Sequence, residues 1–282
     1  MGTLSTPKED APFVDVVHTD GARARVYLDG AQVASWTPAG SADDRLFVSA
    51  NASYGAGRSI RGGIPLCFPQ FGVTGPMRQH GFARLHRWHV QRDASTEEAA
   101  CTVLHLADTD DTRTEWPYRF HAELAVRVQG ASLLVALTVS NTDSQPFAFT
   151  AALHPYFRVA NAFATAVRGL RGTRYRDALR DGAMFEEQSD ALAITGPLDR
   201  VYADTPDTLE LIEPHRALRI EKRGFPDAVV WNPGAAGTSS RADFVPGDET
   251  QMLCVEAGAI MRPIVVEPGN SWVGEQVVTA VG

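Results

Sequence analysis

The chain has 282 residues, 44% of them hydrophobic and 21% charged, with a formal net charge of −8. This is ordinary globular usage, which excludes a disordered or fibrous chain, and at this length about 70–75% of the unfolded surface is buried on folding, so the core needs neither metal nor disulfide. The acidic balance disfavours wholesale binding to nucleic acid or to an anionic membrane, and no apolar run reaches the ~18 residues of a transmembrane helix.

Residues 1–12 are polar and lack the apolar centre of a signal peptide. They are expected as a disordered tail before one domain over residues 13–282. Period-two alternation marks strands in chain order at Arg23–Leu28, Gln32–Trp36, Arg45–Val48, Trp88–Arg92 and Cys101–Leu106. Leu124, Val126 and Val128 alternate with Glu123 and Arg127. In Ala131–Asn141, Leu133, Val135, Leu137 and Val139 share one face. Phe147–His154 follows, then two weakly helical stretches, Arg174–Leu179 and Asp181–Gln188. Further strands are read at Leu209–Ile212, Leu218–Lys222, Ala228–Trp231, Met252–Glu256, Ile264–Glu267 and Trp272–Thr279. Twenty-four glycines and 17 prolines spread along the chain suit many short strands joined by turns. More than a dozen such strands with no long amphipathic helix predict an all-β fold, a large antiparallel β-sandwich with room for a cleft on one sheet face.

Nucleotide motifs fail: Gly55 and Gly57 lack the third glycine of the dinucleotide fingerprint, and there is no phosphate-loop lysine motif. No nucleophile elbow is present either. His80, His86 and His89 lie close in sequence, and a metal-dependent enzyme would need such groups to converge. His86 and His89 are at odd spacing and would point to opposite faces of a strand, so no metal is expected. Cys67, Cys101 and Cys254, odd in number and far apart, read as small buried thiols in a reducing compartment. All basic residues except Lys8 and Lys222 are arginine. Coding bias accounts for the excess as a whole, while individual arginines remain candidates for bidentate phosphate binding.

Four stretches concentrate chemistry. Arg61 opens a run carrying Gly62, Gly63, Pro65 and Pro69, residues that permit unusual dihedrals or fix the path. Gln79, His80 and Arg84 follow on a second rigid loop. Exposed arginines on structural turns would look the same. His154 ends a strand whose Ala148, Thr150 and Ala152 share its face, leaving space for a ligand, or holding a histidine in the core. Glu256 ends an apolar strand, where a carboxylate needs a partner, such as a salt bridge, or a purpose, such as that of a base raised by burial.

Together, Arg61-Gly-Gly-Ile-Pro65, Gln79-His-Gly-Phe-Ala-Arg84, Leu153-His-Pro-Tyr-Phe157 and Cys254-Val-Glu256 resemble the hexose-6-phosphate mutarotases, or glucose-6-phosphate 1-epimerases, of the aldose 1-epimerase superfamily. Trp116-Pro-Tyr-Arg-Phe120, Asp199-Arg-Val-Tyr202, Val230-Trp-Asn-Pro233 and Pro268-Gly-Asn-Ser-Trp272 match in the same order, and the resemblance spans about Val14 to Val278. It implies a galactose-mutarotase-like β-supersandwich, no cofactor, and interconversion of the α and β anomers of a hexose 6-phosphate. The family's catalytic histidine and glutamate fall on His154 and Glu256. Its substrate-binding residues fall on Arg61, Gln79, Arg84 and Asp199, and His80 matches a histidine near the sugar. Two places depart from the pattern: Pro155 replaces a usual threonine, and Gly234–Phe244 replaces a tryptophan and a lysine-bearing stretch, so the resemblance assigns that loop no substrate contact.

Mutarotation needs a proton removed from the C1 hydroxyl and one delivered to the ring oxygen. Glu256 is expected as the carboxylate base and protonated His154 as the acid. Other readings are a non-catalytic carbohydrate-binding sandwich and an aldose 1-epimerase of unphosphorylated sugars. The protein is expected to act as a monomer in the cytoplasm, with a hexose 6-phosphate as its small-molecule partner and no nucleic-acid or membrane partner.

Overall fold

In the computed structural model, residues 11–281 are described, so residues 1–10 of the expected tail lie outside the described residues. Ala11 and Pro12 are held in place. Ala11 is buried in a small apolar cluster with Tyr27, Tyr54 and Ile60, and the Leu28 N–H donates to the Pro12 carbonyl at 2.9 Å.

Among the described residues, twenty strands form sheets of eight, nine and three strands. The two large sheets face each other as an antiparallel β-sandwich. Phe147, Phe149, Ala151 and Leu153 come from the eight-stranded sheet, and Leu133, Val135, Leu137 and Val139 from the nine-stranded one. All eight lie in one buried cluster, as the alternation predicts, because each strand turns its apolar set inward and its polar set outward.

Several elements differ from the sequence reading. The stretches read as helical form the strands Arg174–Asp177 and Ala183–Glu186, paired antiparallel with Tyr175 opposite Phe185. Their turn uses Asp181 and Gly182 at φ 54° and 72°, and packing of Tyr175 overrides local propensity. The two late strands are one long strand, Met252–Val266, whose pairing shifts register between Ala259 and Ile264. Residues 45–48 make only isolated bridges, Leu46 with Phe157 and Val48 with Gly62.

The register of the eight-stranded sheet aligns polar residues on its outer face. Leu153 pairs with Ala257, which sets His154 beside Glu256. Glu256 pairs with Val229, Val229 with Val201, and Val201 with Arg176. In the neighbouring row Asp199 pairs with Trp231, Trp231 with Cys254, and Cys254 with Tyr156. Directly opposed residues point to the same side of a sheet. The alternate residues Leu153, Val230 and Val255 point into the core.

Candidate active site

A cleft of about 510 Å³ covers these two rows. It is lined by His154, Glu256, Arg61, Gln79, His80, Arg84 and Asp199, so all seven sequence-derived candidates meet at one place.

His154 follows the strand Phe147–Leu153, and its N–H donates to the Pro65 carbonyl at 3.1 Å. Its ring stacks on Tyr156 with 4.9 Å between centroids and 11° between planes, and meets the edges of His80 and Trp231 at 5.8 Å. His154 Nε2 lies 3.2 Å from Glu256 Oε1. Glu256 is 1% exposed, and its Oε2 makes no hydrogen bond to another protein group. A buried carboxylate oxygen left unpartnered by the fold needs an explanation that a structural salt bridge does not supply.

The resting charge state differs from the one expected. Burial, the field of Asp199 adding to it, pushes the Glu256 carboxyl well above its ordinary range. Burial, then His80, Arg84 and Arg61, pushes His154 well below the usual imidazole range. Both shifts favour a neutral pair that holds one proton on the glutamate, because a low-dielectric site penalises two separated charges more than none.

His80, at φ 64° on the turn after Gln79, is taken down to about 3 by burial and the two arginines, and is therefore neutral. Its Nδ1 sits 3.2 Å from the Cys67 thiol, which burial pushes far up. Its backbone N–H donates to the Gly72 carbonyl. Arg61 is half-buried and engaged: Nε donates to Asp243 Oδ2 at 2.9 Å, Nη2 is ion-paired with the same oxygen at 2.9 Å, Nη1 donates to the Tyr156 hydroxyl at 2.9 Å, and the group lies over the Phe244 ring. Burial alone would lower it, but Tyr156 and Asp243 outweigh burial and hold it charged. Arg84 Nη2 donates to the Gln79 carbonyl at 2.9 Å, while its Nε is buried without a partner. Gln79 is exposed at the rim. Asp199 is half-buried on the strand Leu198–Tyr202, its carboxyl raised by burial and by Asp177.

Sequence reasoning missed Arg176, Arg241 and Asp243, which also line the cleft. Arg176 was hidden in a stretch read as helical. Arg241 and Asp243 follow the short helix Gly234–Ser239, in the loop to which the resemblance assigned no contact. The three neighbouring histidines do not converge. His80 lines the cleft, His86 packs edge-on against Phe82, and His89 is exposed on an edge strand beside His105. Among the described residues, no group of three His, Cys, Asp or Glu side chains could hold a metal ion.

The fold and site are those of a large antiparallel β-sandwich with a buried His–Glu pair on its outer sheet face, ringed by arginines. The aldose 1-epimerase pattern matches residues 13–279, and the chain belongs to that family. It is 35% identical over 96% of its length to 89% of a candidate glucose-6-phosphate 1-epimerase of Cenchrus ciliaris, and 29% identical over 90% of its length to 85% of one from Escherichia coli K12. The crystal structure of a candidate mutarotase from Salmonella typhimurium superposes with a TM-score of 0.89 at 26% identity, covering 97% of this chain and 91% of that one.

Proposed function

We propose that the protein is a hexose-6-phosphate mutarotase, interconverting the α and β anomers of glucose 6-phosphate. The observation that carries this reading is the buried His154–Glu256 pair at 3.2 Å on the floor of an arginine-rich cleft. A module that only bound carbohydrate would have no use for it.

Ring opening takes the proton of the C1 hydroxyl to Glu256 while His154 gives a proton to the ring oxygen. The C1–ring oxygen bond breaks, C1 turns, and closure runs the same transfers in reverse on the other carbonyl face. This step starts from ionised Glu256 and protonated His154, one proton transfer away from the neutral resting pair. Substrate helps that transfer. Arg61 and Arg84 are among the groups that depress His154, and a phosphate placed against them offsets their charge. Arg84, which has no carboxylate partner among the described residues, supplies the direct phosphate contact. Arg61 is oriented by Asp243 and Tyr156 and adds field and a further donor. Asp199 and Gln79 take sugar hydroxyls, and neutral His80 supports the ring from the His154 side.

The reading is of a monomer acting in the cytoplasm, a reducing compartment that three free cysteines suit. The continuous core supports a single domain over residues 13–282. Among the described residues, no helix is long and apolar enough to cross a membrane. The test is anomerisation of freshly dissolved α-glucose 6-phosphate against its spontaneous rate. Acceleration that is lost in Glu256→Gln supports the assignment, and a parent rate equal to the spontaneous one overturns it.

A further inference from the structure

The cleft has positive charge at both ends. Strand order across its floor runs from the strand Leu66–Cys67, beside which Phe68 bridges Gly81 and the Arg84 turn begins, through His154, Glu256, Val229 and Val201 to Arg176. Arg176 and Glu256 are three strands apart, roughly 14 Å between Cα atoms, with two valines as the floor between them. Arg241 joins Arg176 at that end, since both act on Asp199 and both line the cleft.

These two arginines are not spent on structure. Arg176 makes no hydrogen bond or ion pair with another side chain among the described residues. Among the described residues, the Arg241 guanidinium donates only to the Gly237 carbonyl. Asp199 feels the charge of both and, among the described residues, hydrogen-bonds to neither, so the two cations outnumber it. Arg61, by contrast, has its charge matched by Asp243. In a chain of net charge −8, two unmatched arginines on a cleft wall create a local anion site.

We infer that Arg176 and Arg241 form a second anion-binding pole, on the far side of the His154–Glu256 pair from Arg84, and that it takes a second acidic group carried next to the anomeric carbon of a sugar phosphate. The inference rests on the proposed function, through the order of atoms in the ring. With the ring oxygen at His154 and the anomeric hydroxyl at Glu256, the carbon bearing the 6-phosphate lies toward Arg84. A substituent on the anomeric carbon then points past Glu256, over Val229 and Val201, toward Arg176. One phosphate cannot occupy both sides of the pair. An aldohexose 6-phosphate has no group to offer the second pole. A ketohexose 1,6-bisphosphate has one, because its anomeric carbon carries the phosphorylated C1.

The test compares binding of fructose 1,6-bisphosphate and fructose 6-phosphate by calorimetry in the parent, Arg176→Ala, Arg241→Ala and the double variant. A charged hydrogen bond of the usual strength makes the bisphosphate roughly tenfold or more tighter in the parent. That ratio should fall to about one in the double variant, and Arg176→Lys should retain part of it. Both side chains reach solvent, so thermal melts should match the parent and show that the fold is intact. A parent ratio near one, a ratio that survives in the double variant, or equal weakening of both sugars overturns the inference. Glucose 6-phosphate anomerisation is measured on the same samples. If it is absent while the binding ratio behaves as expected, the proposed function fails and the second pole stands.

Discussion

His154 and Glu256 face each other because a histidine just past the end of the strand Phe147–Leu153 and a glutamate within the strand Met252–Val266 fall at adjacent register positions. Each is legible in the sequence as a polar residue closing an apolar alternation. Their resting charge is not, because burial is a property of the assembled sheet. His154→Ala and Glu256→Gln should each lower turnover by roughly 10²–10⁴-fold, the usual contribution of a positioned acid or base. Near-normal turnover in two folded variants would show that the pair is misassigned. The pH profile follows from the direction of the shifts. The pair works with one proton. Taking a second proton charges His154, whose pKa lies well below 6.5, so the acid limb of kcat/KM should fall below that value. Losing the shared proton ionises Glu256, whose pKa lies well above 4.5, so the alkaline limb is displaced upward and the plateau is broad. Stopped-flow polarimetry corrected for spontaneous mutarotation reads both limbs, and an acid limb centred above pH 6.5 contradicts the buried pair. Arg176 and Arg241 left no comparable trace in the sequence. In a chain whose bases are nearly all arginine, only the fold separates these two from the arginines that face away from the cleft.

At the level of elements, most strands were legible, since Leu133, Val135, Leu137 and Val139, and Phe147 to Leu153 on the opposing sheet, show the phase of their burial directly. The long strand Met252–Val266 was read as two because its register shift between Ala259 and Ile264 resets that phase across Met261, Arg262 and Pro263. The Arg61 loop was legible as rigid but not as tight. Gly63 sits at φ 62°, and a Cβ there would stand 2.2 Å from the Val33 carbonyl oxygen. Its own N–H donates to the Phe47 carbonyl at 2.7 Å, and its carbonyl accepts from the Tyr156 N–H at 2.8 Å, so the backbone cannot swing away cheaply. Gly63→Ala should therefore cost about 1–3 kcal/mol of stability. It should also lower kcat/KM, because Arg61 and Tyr156 are carried on the backbone it displaces. Urea unfolding checks the first effect, and a change within the roughly 0.5 kcal/mol of an ordinary surface substitution would mean that the approach is not tight.

For the molecule as a whole, charge is arranged against its average. The protein is acidic at −8, yet its cleft gathers Arg61, Arg84, Arg176 and Arg241 against Asp199, Asp243 and a Glu256 that burial keeps protonated. Such a field favours a sugar carrying a phosphate over the same sugar without one. Unphosphorylated sugars offer only hydroxyls, for which four arginines would be an excess. A hydrogen bond to a charged group contributes about 1.5–3 kcal/mol, so even the Arg84 contact alone is worth roughly one to two orders of magnitude in kcat/KM. Glucose 6-phosphate should exceed glucose by at least that factor. Arg84→Ala should remove most of the preference while sparing the slow reaction of glucose. Arg61→Ala should harm both sugars, because it also frees Asp243 as an unmatched carboxylate and releases the Tyr156 hydroxyl that packs with His154. Salt should weaken use of the phosphorylated sugar as the screening length shortens to about 10 Å at 0.1 M and below, with inorganic phosphate inhibiting competitively and glucose turnover hardly changed. Initial rates for the two sugars over a salt series decide the matter. Equal kcat/KM for glucose and glucose 6-phosphate at low salt would place the protein among epimerases of free sugars and leave the arginines of the cleft without their ligand.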